Sequence, residues 1–464
     1  MILSHEMVMP RRLAFAALAA IAATNPAFAG PAFATIFNFT GRNGFQPESS
    51  LIMNSAGELF GTASQGGTSP NCNSGFSIAC GTVYSLTPPA SGKGKWKQTV
   101  LHSFGPPRGA KSDGGRPQSE LVADASGALY GTTSDGGDYT NLIHCELLGC
   151  GTVYKLTPPR PGEKKWQETV LIRFEEGADG GTPIGGLVID SSGALYGTTS
   201  AGGPANPNCP NGCGVIFKLT PPAPGQNQWT ETILHSFTYL DGATPYGTLV
   251  PDSAGGFYGS TTEGGPVANR SSGLGGVVFH LTPPSQGETK WTETVLQAFS
   301  GNATDGAHPG TLYLDANGNL FGAAEAGGLV NFNDCNLAAA STCGLIFELS
   351  PPTGGNGSWA ETVLHRFTGG ADGANPFAPV IETAGGALVG GTSLGGSTAN
   401  GVLFSLTPPA MGHTGWTETV LHDFTSSTDG NGPVGGVLDV QGSLFATSLG
   451  GGNMQDGSAF KLTP

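Results

Sequence analysis

The chain has 464 residues, a formal net charge of −15 and only 19 lysines and arginines. A nucleic-acid partner requires a basic surface that neutralises phosphates, so this composition argues against one. The 77 glycines and 34 prolines would indicate a low-complexity chain if they lacked a period. They recur at fixed offsets instead, which predicts regular β-sheet joined by tight turns.

The N-terminus has the pattern of an export signal. Two arginines precede an apolar run at 13–23, and residues 27–29 (Ala-Phe-Ala) match a small-x-small cleavage motif. The run is about half as long as a membrane-spanning helix, although a short N-terminal anchor helix is an alternative. We predict a signal peptide at 1–29, cleaved near Ala29, and a secreted or periplasmic mature protein with no membrane span.

A unit of about 64 residues repeats through the rest of the chain. A tryptophan opens one strand-like segment of each unit, at Trp96, Trp166, Trp229, Trp291, Trp359 and Trp416, and a seventh copy without tryptophan lies at 34–39. An Asp-Gly-x-x-Pro turn follows at Asp113, Asp179, Asp241, Asp305, Asp372 and Asp429, with Asn43-Gly44 in this role in the first unit.

Three further strands complete each unit, as at 187–189, 195–199 and 215–219. Short strands bounded by Gly, Pro and Asp turns predict antiparallel sheet. Four strands repeated seven times predict an all-β fold, a seven-bladed β-propeller, as one domain over 30–464. A linear β-solenoid is the alternative, but it requires end caps that the sequence does not show.

The composition of the strands suggests their order within a blade. The third strand is rich in Gly, Thr and Ser, so we expect it at the crowded axis, followed outward by the fourth strand, the Trp strand and the 187–189 type. Residues 34–53 would then supply the two outer strands of a blade whose inner pair is 444–447 and 459–462. This arrangement would close the ring with strands from both termini and remove open sheet edges.

Three motifs resemble the GloVer tandem-repeat (choice-of-anchor) family of exported bacterial proteins. They are Gly-Thr-Val-Tyr-Lys-Leu-Thr-Pro-Pro at 151–159, Trp-Thr-Glu-Thr-Val-Leu-His-x-Phe at 416–424 and Leu-Tyr-Gly-Thr-Thr at 129–133. The resemblance covers residues 34–464. It implies a repeat scaffold and supplies no catalytic residues.

The eight cysteines form local pairs, each in the loop between the third and fourth strands of a unit. The pairs are Cys72 with Cys80, Cys145 with Cys150, Cys209 with Cys213, and Cys335 with Cys343. An even count behind an export signal predicts four local disulfides. Structural zinc is the alternative, but one unit offers only two of the four ligands required.

The repeated polar residues have structural interpretations. The histidine at 102, 235, 365 and 422 is replaced elsewhere by Ile172, Gln297 and Phe37, and a position that accepts Ile and Phe is expected to be a buried packing position. The turn aspartate is expected to cap its own turn while the next glycine adopts positive φ. A strand glutamate such as Glu231 is about 13 Å from the histidine of its own blade, too far to form a dyad.

Function is expected where the repeat is interrupted, chiefly in long loops near 68–80, 138–150, 204–213, 266–275 and 329–343. Their scattered polar residues form a possible ligand rim: His144, Glu146, Arg270 and Asp334. No catalytic, cofactor or metal site is predicted. The leading hypothesis is a monomeric extracellular binding or scaffold module for a protein or glycan. The alternative is an exported polysaccharide hydrolase or lyase with its site in the propeller channel.

Overall fold

The computed structural model describes residues 32–68, 80–92, 94–105, 112–137, 148–267, 275–301, 305–328, 343–354, 357–411, 414–425 and 428–463. Over these ranges the protein is all-β, with seven antiparallel sheets arranged as the blades of a propeller. The predicted fold class is therefore confirmed. The described part of the chain holds no helix that could serve as a membrane-spanning segment, and the predicted signal peptide at 1–29 lies outside it.

The first strand of the chain is β1 (Ala32–Asn38). Blade 1 then contains β2 (Ile52–Met53), β3 (Leu59–Ala63), β4 (Thr82–Thr87) and β5 (Lys97–Ser103), and blade 2 contains β6 (Val122–Ala123), β7 (Leu129–Thr133), β8 (Thr152–Thr157) and β9 (Gln167–Arg173). Blade 3 contains β10 (Val188–Ile189), β11 (Leu195–Thr199), β12 (Val215–Thr220) and β13 (Thr230–Ser236).

The next three blades carry an additional short strand each. Blade 4 contains β14 (Ala243–Pro245), β15 (Val250–Pro251), β16 (Phe257–Glu263), β17 (Val277–Thr282) and β18 (Thr292–Ala298), and blade 5 contains β19 (Ala307–Pro309), β20 (Tyr313–Leu314), β21 (Leu320–Ala326), β22 (Leu345–Ser350) and β23 (Ala360–Arg366). Blade 6 contains β24 (Ala374–Pro376), β25 (Ile381–Glu382), β26 (Leu388–Leu394), β27 (Val402–Thr407) and β28 (Thr417–Asp423). Blade 7 contains β29 (Leu438–Val440), β30 (Ser443–Ser448) and β31 (Ser458–Thr463).

The order of strands within a blade differs from the predicted one. Blade 3 has the order β10-β11-β12-β13, so the short strand pairs with the third strand and not with the Trp strand. Residues that immediately precede the short strands of all seven blades line one common cavity. The short strand is therefore innermost and the Trp strand outermost, and the expectation that the third strand lies at the axis was wrong.

Local contacts explain the small residues of the third strand. A Cβ added at Gly197 of β11 would lie 2.7 Å from Phe217 Cζ and 2.8 Å from Leu187 Cδ2. A glycine is required here because the aromatic ring of Phe217, on the neighbouring strand, lies against this position, and not because the axis is crowded.

The turn at Asp190 explains why the short strand pairs with the third strand. Its Oδ1 accepts hydrogen bonds from the backbone N–H groups of Ser192 (2.8 Å) and Ala194 (3.0 Å). These bonds stabilise the turn that joins the two strands as a hairpin.

Ring closure is confirmed, with one correction. The closing sheet has the order β1-β31-β30-β29, so N- and C-terminal strands share one blade. The terminal segment supplies only one outer strand, β1, because β2 is the innermost strand of blade 1 and not a second outer strand of blade 7.

The core lies between blades. Five of the six tryptophans pack against an aromatic residue on the third strand of the preceding blade, as Trp166 does with Phe60 (ring centroids 6.3 Å apart). Trp291 instead stacks on Phe257 of its own blade. The phenylalanine that follows a Trp strand is fully buried and reaches the fourth strand of the next blade, as Phe104 does with Tyr154 (5.1 Å). These edge-to-face contacts bury apolar area at the interface and hold the blades in angular register.

The two rims of the ring differ in what they carry. The loops that join third to fourth strands and the Asp-Gly turns begin and end at one rim, which we call the loop face. The Asp-x-x-Gly hairpins, such as 190–193, and the Thr-Pro-Pro segments that follow the fourth strands lie at the opposite rim, the turn face.

Candidate ligand site on the propeller axis

The four residues predicted as a ligand rim, His144, Glu146, Arg270 and Asp334, lie outside the described residues. So do three of the predicted disulfide cysteines, Cys72, Cys145 and Cys335. The strand ends that the long loops connect lie at the loop face. The rim itself remains a prediction, because its four residues lie outside the described residues.

One predicted disulfide is present in the described residues. Cys209 and Cys213 are bonded, with their Cα atoms 5.2 Å apart. Cys80, Cys150 and Cys343 are also disulfide-bonded, but their partners lie outside the described residues. The other three pairings remain predictions.

The bonded cysteine that precedes each fourth strand is connected to the propeller axis. The carbonyl oxygen of Cys213 accepts a 2.9 Å hydrogen bond from the backbone N–H of Thr244 in the next blade. Equivalent bonds are Arg116 N to Cys80 O (2.6 Å), Thr182 N to Cys150 O (2.7 Å) and Asn375 N to Cys343 O (2.9 Å). The long loops are thus anchored to the residues that surround the mouth of the channel.

These axial residues share an unusual backbone conformation. The residue before the turn proline has positive φ in every blade: Gln46 (56°), Arg116 (52°), Thr182 (53°), Thr244 (55°), His308 (53°), Asn375 (54°) and Gly432 (56°). For a residue with a side chain this conformation costs about 1–3 kcal/mol and persists only where its surroundings enforce it. The hydrogen bonds to the cysteine carbonyls of the preceding blade are part of those surroundings.

Two cavities meet on the axis. The narrower, of about 70 Å³, begins at the loop face near Glu48 and Tyr246, and the wider, of about 300 Å³, extends toward the turn face between Leu249 and Val437. Both are lined by Ser50, Glu120, Thr248, Thr311, Pro379 and Gly436. We call these shared residues the waist of the channel.

The lining positions vary from blade to blade, although the scaffold repeats. The position directly after the turn proline holds Glu48, Gln118, Ile184, Tyr246, Phe377 and Val434, and blade 5 lacks it. The waist position holds Ser50, Glu120, Gly186, Thr248, Thr311, Pro379 and Gly436. The residues at the axis therefore differ from blade to blade, whereas we expected the Gly-, Thr- and Ser-rich third strands there.

Glu120 has the most unusual environment of the waist residues. No hydrogen bond or ion pair joins its carboxyl group to another described residue, and burial raises its pKa to about 7. Its counterparts in the other blades are small or uncharged, so no requirement of the repeat explains an acid here.

Arg116 and Asp135 form a polar pair at the loop-face mouth. Arg116 Nε lies 3.9 Å from Asp135 Oδ2, and both atoms are buried without a hydrogen-bond partner among the described residues. Burial raises the pKa of Asp135 to about 6, although the charge of Arg116 and a hydrogen bond from Ser134 oppose this.

Glu48 is a second acid at the mouth. Its Oε1 accepts a 3.0 Å hydrogen bond from Ser64 Oγ. Burial raises the pKa of Glu48 above its usual range, while this bond and the charge of Arg116 partly offset the increase.

Glu325 interrupts the repeat on the far side of the axis. Five blades have a Ser or Thr at this position whose hydroxyl bonds the carbonyl of the axial residue, as Ser200 does with Thr182 (2.8 Å). Glu325 instead accepts from Asn375 Nδ2 (3.4 Å) and lies 3.9 Å from His308 Nδ1. The pKa of Tyr246 is raised chiefly by burial, and in addition by the charges of Glu48 and Glu325.

An aromatic pair completes the mouth. Tyr246 and Phe377 lie edge to face, with ring centroids 4.8 Å apart. The narrower cavity thus has carboxylates on one side and aromatic rings on the other.

A His-Asp-Glu cluster recurs away from the axis. His235, Asp241 and Glu293 have ligand atoms within 4.8 Å of one another, a spacing that could hold a metal ion. At the equivalent interface Gln297 replaces the histidine and donates to Glu361 at 2.6 Å. Because the amide of Gln297 takes the place of the imidazole at that interface, we interpret the cluster as a polar contact between neighbouring blades. We call this His-Asp-Glu contact the polar clasp.

The clasp revises the interpretation of the repeated histidines. Each contacts the aspartate of the turn that follows its own strand and is not a simple packing residue: His102–Asp113 3.0 Å, His235–Asp241 3.1 Å, His365–Asp372 3.5 Å and His422–Asp429 3.2 Å. The predicted turn cap is confirmed, since Asp241 Oδ1 accepts from Thr238 N at 2.7 Å and the following Gly242 has φ of 124°.

Solved structures with a similar fold are distant in sequence. PorZ, a bacterial surface component of the type-IX secretion system of Porphyromonas gingivalis, matches 92% of this chain at 14% identity and a TM-score of 0.50. The match covers 47% of PorZ, so this chain spans about half the length of that protein. A protein of unknown function from Dyadobacter fermentans (12% identity, TM-score 0.42, 93% of this chain and 97% of that one) and a gluconolactonase from Xanthomonas campestris (14%, 0.35, 73% and 82%) are also similar.

The family comparison is more specific than these structural matches. No curated protein matches the sequence. The model of the Gloeobacter/Verrucomicrobia repeat matches residues 71–335 and 276–464, which together include most of the chain and nearly every blade. This chain therefore belongs to the Gloeobacter/Verrucomicrobia repeat family.

Proposed function

We propose that the protein is an exported binding module that takes the end of a glycan into the loop-face mouth of its axial channel. The observation that carries the proposal is the variation of the axial positions within an otherwise regular repeat. Packing alone would favour the same residue in every blade, whereas a site needs unlike groups that converge on one point.

The chemistry of the mouth suits a carbohydrate. Glu48 and Asp135 can accept hydrogen bonds from sugar hydroxyls and Arg116 can donate to them. The rings of Tyr246 and Phe377 provide an apolar surface for the C–H face of a sugar. A narrow cavity of about 70 Å³ admits a chain end or a single ring substituent more readily than the surface of a folded protein.

A glycan array followed by calorimetry tests this proposal. We expect wild-type protein to bind an oligosaccharide, Arg116→Ala and Glu48→Gln to weaken binding at least tenfold, and the exposed control Arg160→Ala to leave it unchanged. Binding of a protein partner at the loops, insensitive to both axial substitutions, would overturn the proposal.

Export is the second part of the proposal. The pattern at 1–29 supports it, and so does the Cys209–Cys213 disulfide, because disulfides persist mainly in oxidising compartments. Mass spectrometry of the protein recovered from its native cell fraction should find a mature N-terminus near Gly30. An intact N-terminus in a cytoplasmic fraction would contradict export.

An exported hydrolase or lyase remains the second candidate function. The observation that favours it is Asp135, whose pKa of about 6 beside Arg116 suits proton transfer near neutral pH. Release of reducing or unsaturated sugar ends from bacterial polysaccharides, abolished by Asp135→Asn, would support an enzyme. Binding without any turnover would exclude it for the glycans tested.

A further inference from the structure

We propose that the wider axial cavity is a second ligand site, for a primary ammonium group carried on a short apolar chain, with Glu120 as its counter-ion. This site lies on the turn-face side of the waist and does not depend on the proposed function of the loop-face mouth.

Glu120 is the first reason for this assignment. It lines both cavities, and its carboxyl group has no partner among the described residues. The side chain is partly exposed to the channel, and a carboxylate that faces an enclosed channel without a counter-charge is disfavoured. The other blades have Ser, Gly, Thr, Thr, Pro and Gly at this position, so the scaffold does not require the acid. A ligand that compensates the carboxylate accounts for its presence.

The hydroxyl groups of the waist indicate what the ligand head carries. Ser50 Oγ accepts a 3.1 Å hydrogen bond from Gly436 N, and Thr248 Oγ1 accepts one of 3.1 Å from Gly186 N. These bonds orient the two oxygens, and each oxygen retains a lone pair. The Thr311 hydroxyl and Glu120 line the waist as well, so acceptor oxygens face the channel from four blades, and an ammonium group brings three N–H donors to them.

The walls of the wider cavity indicate the rest of the ligand. Their partly exposed apolar side chains are Val250, Tyr313, Ile381 and Leu438, and behind them lie the core residues Leu51, Leu249, Leu312, Val380 and Val437. A cavity of about 300 Å³ is at the small end of the range for ligand pockets, which are typically apolar with a few converging polar groups. An alkyl chain of a few carbons fits this description.

The charges of the channel exclude the other head groups. Among the described residues, no lysine or arginine lines the wider cavity, so a carboxylate or phosphate there would face Glu120 unpaired. A neutral alcohol would leave the acid without a counter-ion. The other titratable groups that face the channel there are Glu48, Tyr246 and Tyr313, and none of them is a cation.

Proton release provides a signature that packing alone would not produce. Burial raises the pKa of Glu120 to about 7, so the free carboxyl is largely protonated at pH 6. An ammonium group favours the ionised form, and binding should expel a proton. The affinity for an amine should therefore increase between pH 6 and pH 8, while that for an alcohol should not.

Isothermal titration calorimetry with 1-butylamine, 1-butanol and butyrate tests the inference. We expect the amine to bind at least tenfold more tightly than the other two at pH 8, with proton release measured from two buffers of different ionisation enthalpy. Glu120→Gln should lower amine affinity at least tenfold and remove the pH dependence, and the exposed Glu288→Gln should change neither.

A second variant tests the inference independently, in case Glu120→Gln does not fold. Thr311→Val keeps the shape of the side chain, removes one acceptor and should weaken amine binding about threefold to tenfold. Equal affinity for butylamine and butanol, or an unchanged affinity in a folded Glu120→Gln protein, would overturn the inference. Arg116→Ala, at a residue that does not line the wider cavity, should leave amine binding unchanged, so failure of one site is distinguishable from failure of the other.

Discussion

The side-chain amide of Gln98 donates a 2.7 Å hydrogen bond to the carbonyl oxygen of Asn43, in the turn that precedes its blade. Five other blades have a glutamate at this position: Glu168, Glu231, Glu293, Glu361 and Glu418. In each of them the Oε1 atom is buried and has no hydrogen-bond partner among the described residues. A protonated carboxyl group can donate as an amide does, so we expect these glutamates to be neutral acids that bond the equivalent turn.

Stability should therefore depend on pH through Glu293. Burial, and next the charge of Asp241, raises its pKa from 4.5 to about 8. A group whose pKa is higher in the folded protein contributes stability that is complete below about pH 4.5 and is lost as the pH rises through 8. We expect the free energy of unfolding in urea to decrease between pH 6 and pH 9.

Glu293→Gln should reduce this loss. At pH 9 the variant should be about 1 kcal/mol more stable than wild type, and at pH 5 the two should be similar. Glu288→Gln is the exposed control and should follow the wild-type profile. A wild-type protein that became more stable from pH 6 to pH 9 would show that the glutamates are ionised in the fold.

The glycine that follows each long loop is expected to be intolerant of substitution. Gly214 has φ of 96°, and a Cβ there would lie 2.5 Å from Pro245 Cδ in the next blade. Gly225 has a similar φ of 86° but open space around it. Gly225→Ala should cost about 1 kcal/mol from backbone strain alone, whereas Gly214→Ala should cost about 3 kcal/mol or more, because the blades must separate. Equal losses in thermal unfolding would contradict the packing argument.

Peptide mapping under non-reducing conditions tests the disulfide prediction. We expect Cys72–Cys80, Cys145–Cys150 and Cys335–Cys343 linkages in addition to the observed Cys209–Cys213 bond. Replacing Cys209 and Cys213 by alanine should lower the free energy of unfolding by about 2 kcal/mol, since the closed loop is short. Any linkage between different long loops would refute the local pairing.

Closure predicts the behaviour of the N-terminal strand. Phe33 of β1 stacks on His422 with ring centroids 3.7 Å apart and also contacts Phe460. We expect hydrogen exchange in β1 to be as slow as in β5 or β9, and Phe33→Ala to cost about 2–3 kcal/mol. Fast exchange confined to residues 32–38, with slow exchange elsewhere, would show that the ring does not depend on this strand.

Much of the architecture could be predicted because it repeats. Six copies of the tryptophan and of the Asp-Gly-x-x-Pro turn give several independent observations of one unit, so the number of blades and the sharing of a blade by both termini were predictable. The order of strands was not. Position 197 must be glycine because the ring of Phe217 lies against it. The sequence shows that a residue is small, but it does not show which neighbour leaves no room for a side chain.

The candidate site was missed for the same reason. Glu48, Glu325 and the neighbouring pair Arg116 and Glu120 come from three different units, and each of the four occupies a different position within its unit. The functional prediction fell on the long loops because they interrupt the length of the repeat. The stronger signal was a substitution without a change in length, such as Glu120 where other blades have Ser, Thr or Gly.

Local chemistry determined the turns and strands and their sevenfold recurrence, because those features depend on residues a few positions apart. Only the tertiary structure decided which strand faces the axis and which residues converge there. It also decided that Glu293 of blade 4 lies beside His235 of blade 3. Those relationships depend on how separate sheets pack around a common centre, and no spacing along the chain records that geometry.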